Sequence, residues 1–226
     1  MSDYYVGLDL GQSNDYTALA VIQKVPTYDQ QTGNHDTELH LRHLKRFPLK
    51  TPYTTIADNV KDLLRGPPFT EDIRIAPTRP GDNFGFVKIR KPHTELVVDK
   101  TGVGVAVTDL LKERNLRFIG VTITGLGQKV TSTGVREYSV PKQDLVAALE
   151  VPFHTGKLKI AEDLELWPTL RGELLTFRRK QNVITAHISY EHWRESDHDD
   201  LVLACALACW KATRKRAGST TLKVIY

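Results

Sequence analysis

The sequence predicts an α/β fold: a central mixed sheet, antiparallel over its first three strands and parallel afterwards, flanked by helices. Three observations carry this expectation. Three β-rich segments joined by short polar loops open the chain, as in an antiparallel meander. A strand–helix–strand pattern follows between residues 94 and 125, the signature of a parallel pair. Near the end, the run "LVLACALACW" is apolar on every side, as a helix packed into a sheet must be.

Taken in order, "YYVGLDL" (4–10) reads as a strand ending near Asp9 and Gly11, "YTALAVIQKV" (16–25) as the second and "TELHLRHLKRF" (37–47) as the third. "YTTIADNVKDLLR" (53–65) sets Ile56, Val60, Leu63 and Leu64 at helical spacing. Residues 66–93 are rich in Pro and Gly and read as a long loop or insertion. "TELVVD" (94–99) is a fourth strand of buried type, followed by a Gly-containing turn, a helix, and the strand "RFIGVTITG" (117–125). "VPKQDLVAALEVPFHTGKLKI" (140–160) reads as a helix opened by Pro141 and broken near Pro152, then a strand. "LWPTLRGELLTFRRK" (166–180) is helical, "NVITAHISY" (182–190) a strand or extended segment, and 199 to about 215 the last helix. Residues 218–226 read as an added strand or a loose tail. No repeat or low-complexity tract interrupts the chain, so 1–226 is expected to form a single domain.

With 226 residues, 40% hydrophobic and 26% charged, the chain can bury a substantial core. No basic, apolar leader opens it and no apolar run approaches the roughly 18 residues a membrane span needs. The expected location is cytoplasmic, with no membrane partner. Cys205 and Cys209 lie four apart in the last apolar run and are expected as buried, reduced thiols. The net charge is +4, gathered in "RHLKRFPLK" (42–50), "KIRKPH" (88–93), "RRKQ" (178–181) and "KATRKR" (211–216). Each cluster alone fits a solvated surface; four together point to a polyanion held by its phosphates.

Two strand ends share one form, apolar residues running into an Asp and then a Gly-containing turn: "VGLDLG" with Asp9 and "LVVDKTG" with Asp99. Ligands bind at the carboxyl ends of strands in such sheets, so both carboxylates can point into one crevice. The start of the last helix can bring Asp199 and Asp200 there as well. Carboxylates crowded together raise one another's pKa unless a cation lies between them. Oxygen-only ligation suits two divalent cations, Mg²⁺ or Mn²⁺, set about 4 Å apart to clamp a phosphodiester for in-line hydrolysis, with Asp9 bridging them. Each residue has a plainer reading: Asp9 and Asp99 as turn residues before Gly, Asp199 as a helix N-cap, Asp15 in "QSNDYT" as a turn residue or a support behind the ligands. His198 either orients a carboxylate or phosphate or merely starts the helix.

Six stretches, "VGLDLGQSNDYTALAVI", "LVVDKTGVG", "VPKQDLVAAL", "GKLKI", "LRGELLTF" and "HDDLVLACALACW", stand in the order they have in a known family. Over residues 4–212 the chain resembles the nuclease domain of the terminase large subunit of bacteriophages and prophages. The resemblance implies an RNase H-like fold and a metal-dependent endonuclease that cuts double-stranded DNA during genome packaging. It implies that Asp9, Asp99, Asp199 and Asp200 are catalytic and metal-binding, with either member of the doublet as the ligand. Lys142, in "VPK", then lies near the DNA path or is an exposed first-turn lysine. Implied partners are a terminase ATPase domain, the small terminase subunit and the portal, in the cytoplasm of the host cell.

The phosphate-loop pattern G-x-x-x-x-G-K-[ST] is absent, since "TGVGVAVT" and "GLGQKVTS" fail it. The chain is therefore expected to be a nuclease domain without its motor, either excised or free-standing. Three other readings share some features. An actin-like phosphotransferase also opens on a "DLG" strand end, a Holliday-junction resolvase carries a similar acidic set, and a catalytically silent DNA-binding module would keep only the basic clusters.

Overall fold

The computed structural model describes residues 3–11, 15–28, 33–75, 88–102, 104–125, 128–184 and 199–214. Its elements are β1 (Asp3–Asp9), β2 (Ala18–Tyr28), β3 (His35–Arg46), α1 (Tyr53–Arg65), β4 (Ile73–Ile75), β5 (Lys88–Arg90), β6 (His93–Asp99), α2 (Gly104–Glu113), β7 (Phe118–Thr124), β8 (Thr131–Gly134), β9 (Glu137–Pro141), α3 (Lys142–His154), β10 (Leu158–Ile160), α4 (Trp167–Ile184) and α5 (Asp200–Thr213).

Eight strands form one sheet in the order β10-β3-β2-β1-β6-β7-β9-β8. The pairs β1–β2 and β2–β3 are antiparallel, whereas β1–β6, β6–β7 and β7–β9 are parallel. This is the expected mixed sheet, antiparallel on one side of β1 and parallel on the other. β6 is the fourth strand of the sheet in chain order, because β4 and β5 pair only with each other.

Strand alternation divides the core in two. On one face Tyr4, Val6, Leu8, Leu19, Val21, Leu96 and Val98 pack with Ile56, Val60, Val107 and Leu111 of α1 and α2. On the other, Tyr5, Ala18, Ala20, Ile22 and Val97 pack with α3, Leu170 of α4 and nearly the whole of α5. Cys205 and Cys209 are buried free thiols there, and burial pushes Cys209 up to about 12.

α5 runs antiparallel to β1 directly over it. A Cβ on Gly7 would stand 1.9 Å from the Ala204 carbonyl oxygen, so this crossing is open only to glycine. At the far end Lys24, opposite Asp3, donates to the Ala212 carbonyl at 2.7 Å. Thirteen helical residues span about 18 Å and six strand steps about 20 Å. The helix that ends beside Asp3 therefore begins beside Asp9.

Three expectations need correction. α3 runs through Pro152 to His154: the proline removes its own N–H from the ladder, but Thr155 N–H on the Val151 carbonyl and Lys157 N–H on the Pro152 carbonyl close the last turn beyond it; Pro152 is buried, and Gly156 at φ 68° then turns the chain into β10. α4 extends to Ile184, so 182–184 are helical; residues 185–190 of the expected extended segment lie outside the described residues, as does the tail 218–226. The hairpin β8–β9 was not foreseen at all. Within 66–93, β4 and β5 pair, and 76–87 lie outside the described residues. Among the described residues no helix is long and apolar enough to cross a membrane.

Candidate functional site

Side chains two apart on a strand share a face, so Tyr5, Gly7 and Asp9 project together, as do Glu95, Val97 and Asp99. That face is the one α5 covers. Parallel pairing sets Leu8 beside Val98, which brings Asp9 and Asp99 out side by side at the ends of β1 and β6. α5 starts above them with Asp199 at its N-cap position and Asp200 as its first helical residue. Asp9 and Asp99 are each 7% exposed and Asp200 5%.

Electrostatics ties the group together. The Asp9 carboxyl is pushed well above the usual carboxylate range, first by burial and then by Asp99, Asp200 and Asp199, with Lys142 opposing. Burial raises Asp200 to about 7; Arg46 opposes this, and Asp199 and Asp15 add to it. Lys142 Nζ lies 3.4 Å from Asp199 Oδ2, so the lysine of "VPK" faces the doublet rather than open solvent. Asp15, on an exposed bend, is near enough to act on Asp200 through charge. His198 lies outside the described residues.

The connections out of the strands are fixed locally. Thr101 N–H donates to Asp99 Oδ1 at 2.7 Å, the turn role expected of an Asp before Gly. After Asp9, Gly11 N–H donates to Thr17 Oγ1 at 3.1 Å, and its carbonyl accepts from Tyr53 Oη at 2.8 Å.

Capping of α5 departs from expectation. Asp199 makes no side-chain capping hydrogen bond. Glu173 of α4, buried in the core, accepts Leu201 N–H at 3.0 Å and Val202 N–H at 3.2 Å on Oε2 instead. Its Oε1 pairs with Arg46 Nη2, and that nitrogen also lies 3.8 Å from Asp200 Oδ2. Arg46 closes β3, where pairing sets it beside Ala18, itself opposite Asp9, and its guanidinium stacks 4.8 Å from the Tyr16 ring centroid. Sequence reasoning placed neither Glu173 nor Arg46 here. Arg46 falls in a basic cluster and Glu173 in a stretch that reads as helical, and no local pattern marks a residue whose partners are remote.

Arg46 is turned into the acidic group, and Lys211 Nζ lies 3.2 Å from Glu95 Oε2 at the opposite end of the sheet.

Five carboxyl groups, of which those of Asp9, Asp99, Glu173 and Asp200 are buried, gather here with the Arg46 and Lys142 side chains beside them. An all-oxygen donor set of this kind fits a hard divalent cation. As the side chains stand, no three or more His, Cys, Asp or Glu among the described residues converge on one point to hold an ion. Asp199 and Asp200 stand instead beside Lys142 and Arg46.

No family model matches the chain, and no curated protein matches it in sequence. Solved structures do match it in shape. The chain is similar to terminase nuclease domains. The large terminase nuclease of the thermophilic phage G20c shares 17% identity, with a TM-score of 0.48 over 92% of this chain and 81% of that one. The human cytomegalovirus terminase nuclease domain, soaked with Mn and inhibitor-bound, shares 15% identity, with a TM-score of 0.49 over 92% of this chain and 82% of that one. A second structure of that domain, soaked with Mn, gives 16% identity and a TM-score of 0.43 over 91% and 83%.

Proposed function

We propose that the chain is a divalent-metal-dependent endonuclease that hydrolyses phosphodiester bonds of double-stranded DNA, acting as the nuclease domain of a phage or prophage terminase large subunit. One observation carries the reading: carboxylates from three remote segments, Asp9, Asp99 and the Asp199–Asp200 doublet, meet at one sheet edge closely enough that Asp9 feels all the others. A structural role needs no such accumulation of buried like charge.

In this reading Asp9 holds the centre of the site from β1, Asp99 flanks it from β6, and Asp199 or Asp200 closes it from the start of α5. Two bound Mg²⁺ or Mn²⁺ ions would supply the charge that stabilises the attacking and leaving oxygens in an in-line displacement. The strand ends fix the backbone of Asp9 and Asp99 against the sheet, so binding would ask their side chains and the doublet to turn inward rather than the sheet to move. Lys142, held by Asp199, places a cation at the rim where a DNA phosphate can approach. The motor ATPase domain, small terminase subunit and portal are the partners such a domain works with, and they choose where it cuts.

Supercoiled plasmid incubated with Mg²⁺ or Mn²⁺ tests the reading. The intact chain is expected to nick and linearise it, EDTA to stop the reaction, and Asp9→Asn or Asp99→Asn to lower cutting at least 100-fold, about 2.7 kcal/mol of barrier. Unchanged cutting by either variant removes that residue from the site. Cleavage confined to branched DNA would replace the reading with a junction resolvase, and phosphoryl transfer from ATP to a sugar would sink it.

A further inference from the structure

A helix that starts inside a protein brings backbone N–H groups that need acceptors. In α5 the residue placed to supply one, Asp199, makes no side-chain cap. Glu173 does the capping from another helix, through Leu201 N–H at 3.0 Å and Val202 N–H at 3.2 Å. The same carboxylate pairs with Arg46, whose Nη2 reaches Asp200 Oδ2 at 3.8 Å. Glu173 therefore acts on the doublet twice, by holding the backbone that carries it and by anchoring the guanidinium beside Asp200.

Stability alone does not explain this arrangement. A Ser, Thr or Asp at the N-cap satisfies the same N–H groups locally, whereas a buried Glu–Arg pair carries a desolvation penalty that often cancels its attraction. What the remote cap provides is geometric. It leaves the Asp199 carboxylate turned to Lys142 at 3.4 Å instead of folded back onto its own helix. It also ties the first turn of α5 to β3, the strand next to β2 and hence to the level of Asp9.

We propose that Glu173 is a positioning residue for the cation site: through the first turn of α5 and through Arg46 it fixes where the Asp199 and Asp200 carboxylates stand relative to Asp9 and Asp99. This rests on the metal-dependent reading of that acidic group. Outer partners of this kind typically change metal affinity 10- to 100-fold when removed.

The test is Mn²⁺ affinity without DNA, read from the paramagnetic resonance signal of free Mn²⁺, together with amide hydrogen exchange at Leu201 and Val202. Glu173→Ala is expected to weaken Mn²⁺ binding about 10- to 100-fold and to speed exchange at both amides. Glu173→Gln, which keeps an oxygen for the N–H groups but loses the ion pair with Arg46, is expected to lose less affinity and retain more protection. Both variants are then placed in an Asp199→Asn/Asp200→Asn background. If Glu173 acts through the doublet, its effect on the Mn²⁺ affinity that remains disappears there. An equal loss in both backgrounds marks a general structural role and overturns the proposal, as does failure of both single variants to fold. Unchanged affinity in Glu173→Ala overturns it while leaving the nuclease reading standing, provided the intact chain binds Mn²⁺ and cuts. An intact chain that binds no Mn²⁺ overturns both.

Discussion

Asp200 stands first in its helix, where the positive end of the dipole favours an ionised carboxylate, yet its pKa is raised to about 7 from the ordinary 3.8. Burial is the largest cause, and it outweighs the pull of Arg46; Asp199 and Asp15 push the same way as burial. The sign of the pH effect follows. A carboxyl that binds its proton more tightly folded than unfolded stabilises the fold below the unfolded pKa, and that contribution is lost as pH rises through the folded one. Without metal, the melting temperature of the intact protein relative to Asp200→Asn is expected to fall between pH 4 and pH 7–8, since only the intact chain must ionise a buried acid there. Added Mg²⁺ or Mn²⁺ should reverse the trend at pH 7–8, because a cation takes the place of the proton. Thermal unfolding of both proteins in EDTA and in metal checks this; parallel pH curves would show that Asp200 does not titrate as its surroundings imply. At this scale the sequence was informative about Asp9, Asp99 and the doublet, since an acid directly after an apolar strand or before an apolar helix is a local signal. It was silent on Glu173 and Arg46, whose roles depend on partners that only folding brings near.

The element that decides the site is α5, and the contact that sets its height over the sheet is Gly7 against Ala204. A methyl group on Gly7 would meet backbone at 1.9 Å, and backbone cannot rotate aside as a side chain can. Gly7→Ala is expected to cost about 1–3 kcal/mol in urea unfolding, and to weaken Mn²⁺ binding as well, because lifting the helix moves the doublet. Gly172→Ala in α4 is the matched control. Nothing lies within 4 Å of its new Cβ, and an exposed helical Gly→Ala stabilises by about 0.5–1 kcal/mol. A Gly7→Ala protein as stable as the intact one would show that α5 is not seated on β1 as described. Element boundaries were legible where periodicity and burial agree, as in α1, β1, β6 and α5. The β8–β9 hairpin escaped because Thr131–Gly134 are all exposed and carry no apolar alternation. Pro152 misled because it withdraws only its own N–H from the ladder, while the Thr155 and Lys157 N–H groups beyond it still close the last turn.

At the scale of the whole molecule, the acidic crevice is a product of strand order. Asp9, Asp99 and Asp200 are about ninety or more residues apart along the chain, and they meet because β6 pairs parallel to β1 while α5 returns antiparallel over both. The parallel crossover was readable from the strand–helix–strand pattern, and the meeting of the two strand ends followed from it. That the start of α5 can reach the same crevice was readable from the acidic doublet, but the face it covers was not, since its apolar run fits a helix buried against either side of the sheet; Gly7, with no side chain to pack, is what admits it to this one. A cation held between these segments would therefore fasten the first strand, a central strand and the last helix to one another. Ligand that binds only the folded state adds RT ln(1 + [L]/Kd), about 2.7 kcal/mol at 100 times Kd. Mn²⁺ at that excess is expected to raise the urea midpoint accordingly without changing the m-value, and to slow exchange at the amides of β1, β6 and the first turn of α5 together. Asp99→Asn, which removes one carboxylate and leaves the strand pairing, should abolish most of that gain while keeping the metal-free stability. Protection confined to α5 would mean that the doublet binds metal alone, and the three-segment site would have to be abandoned.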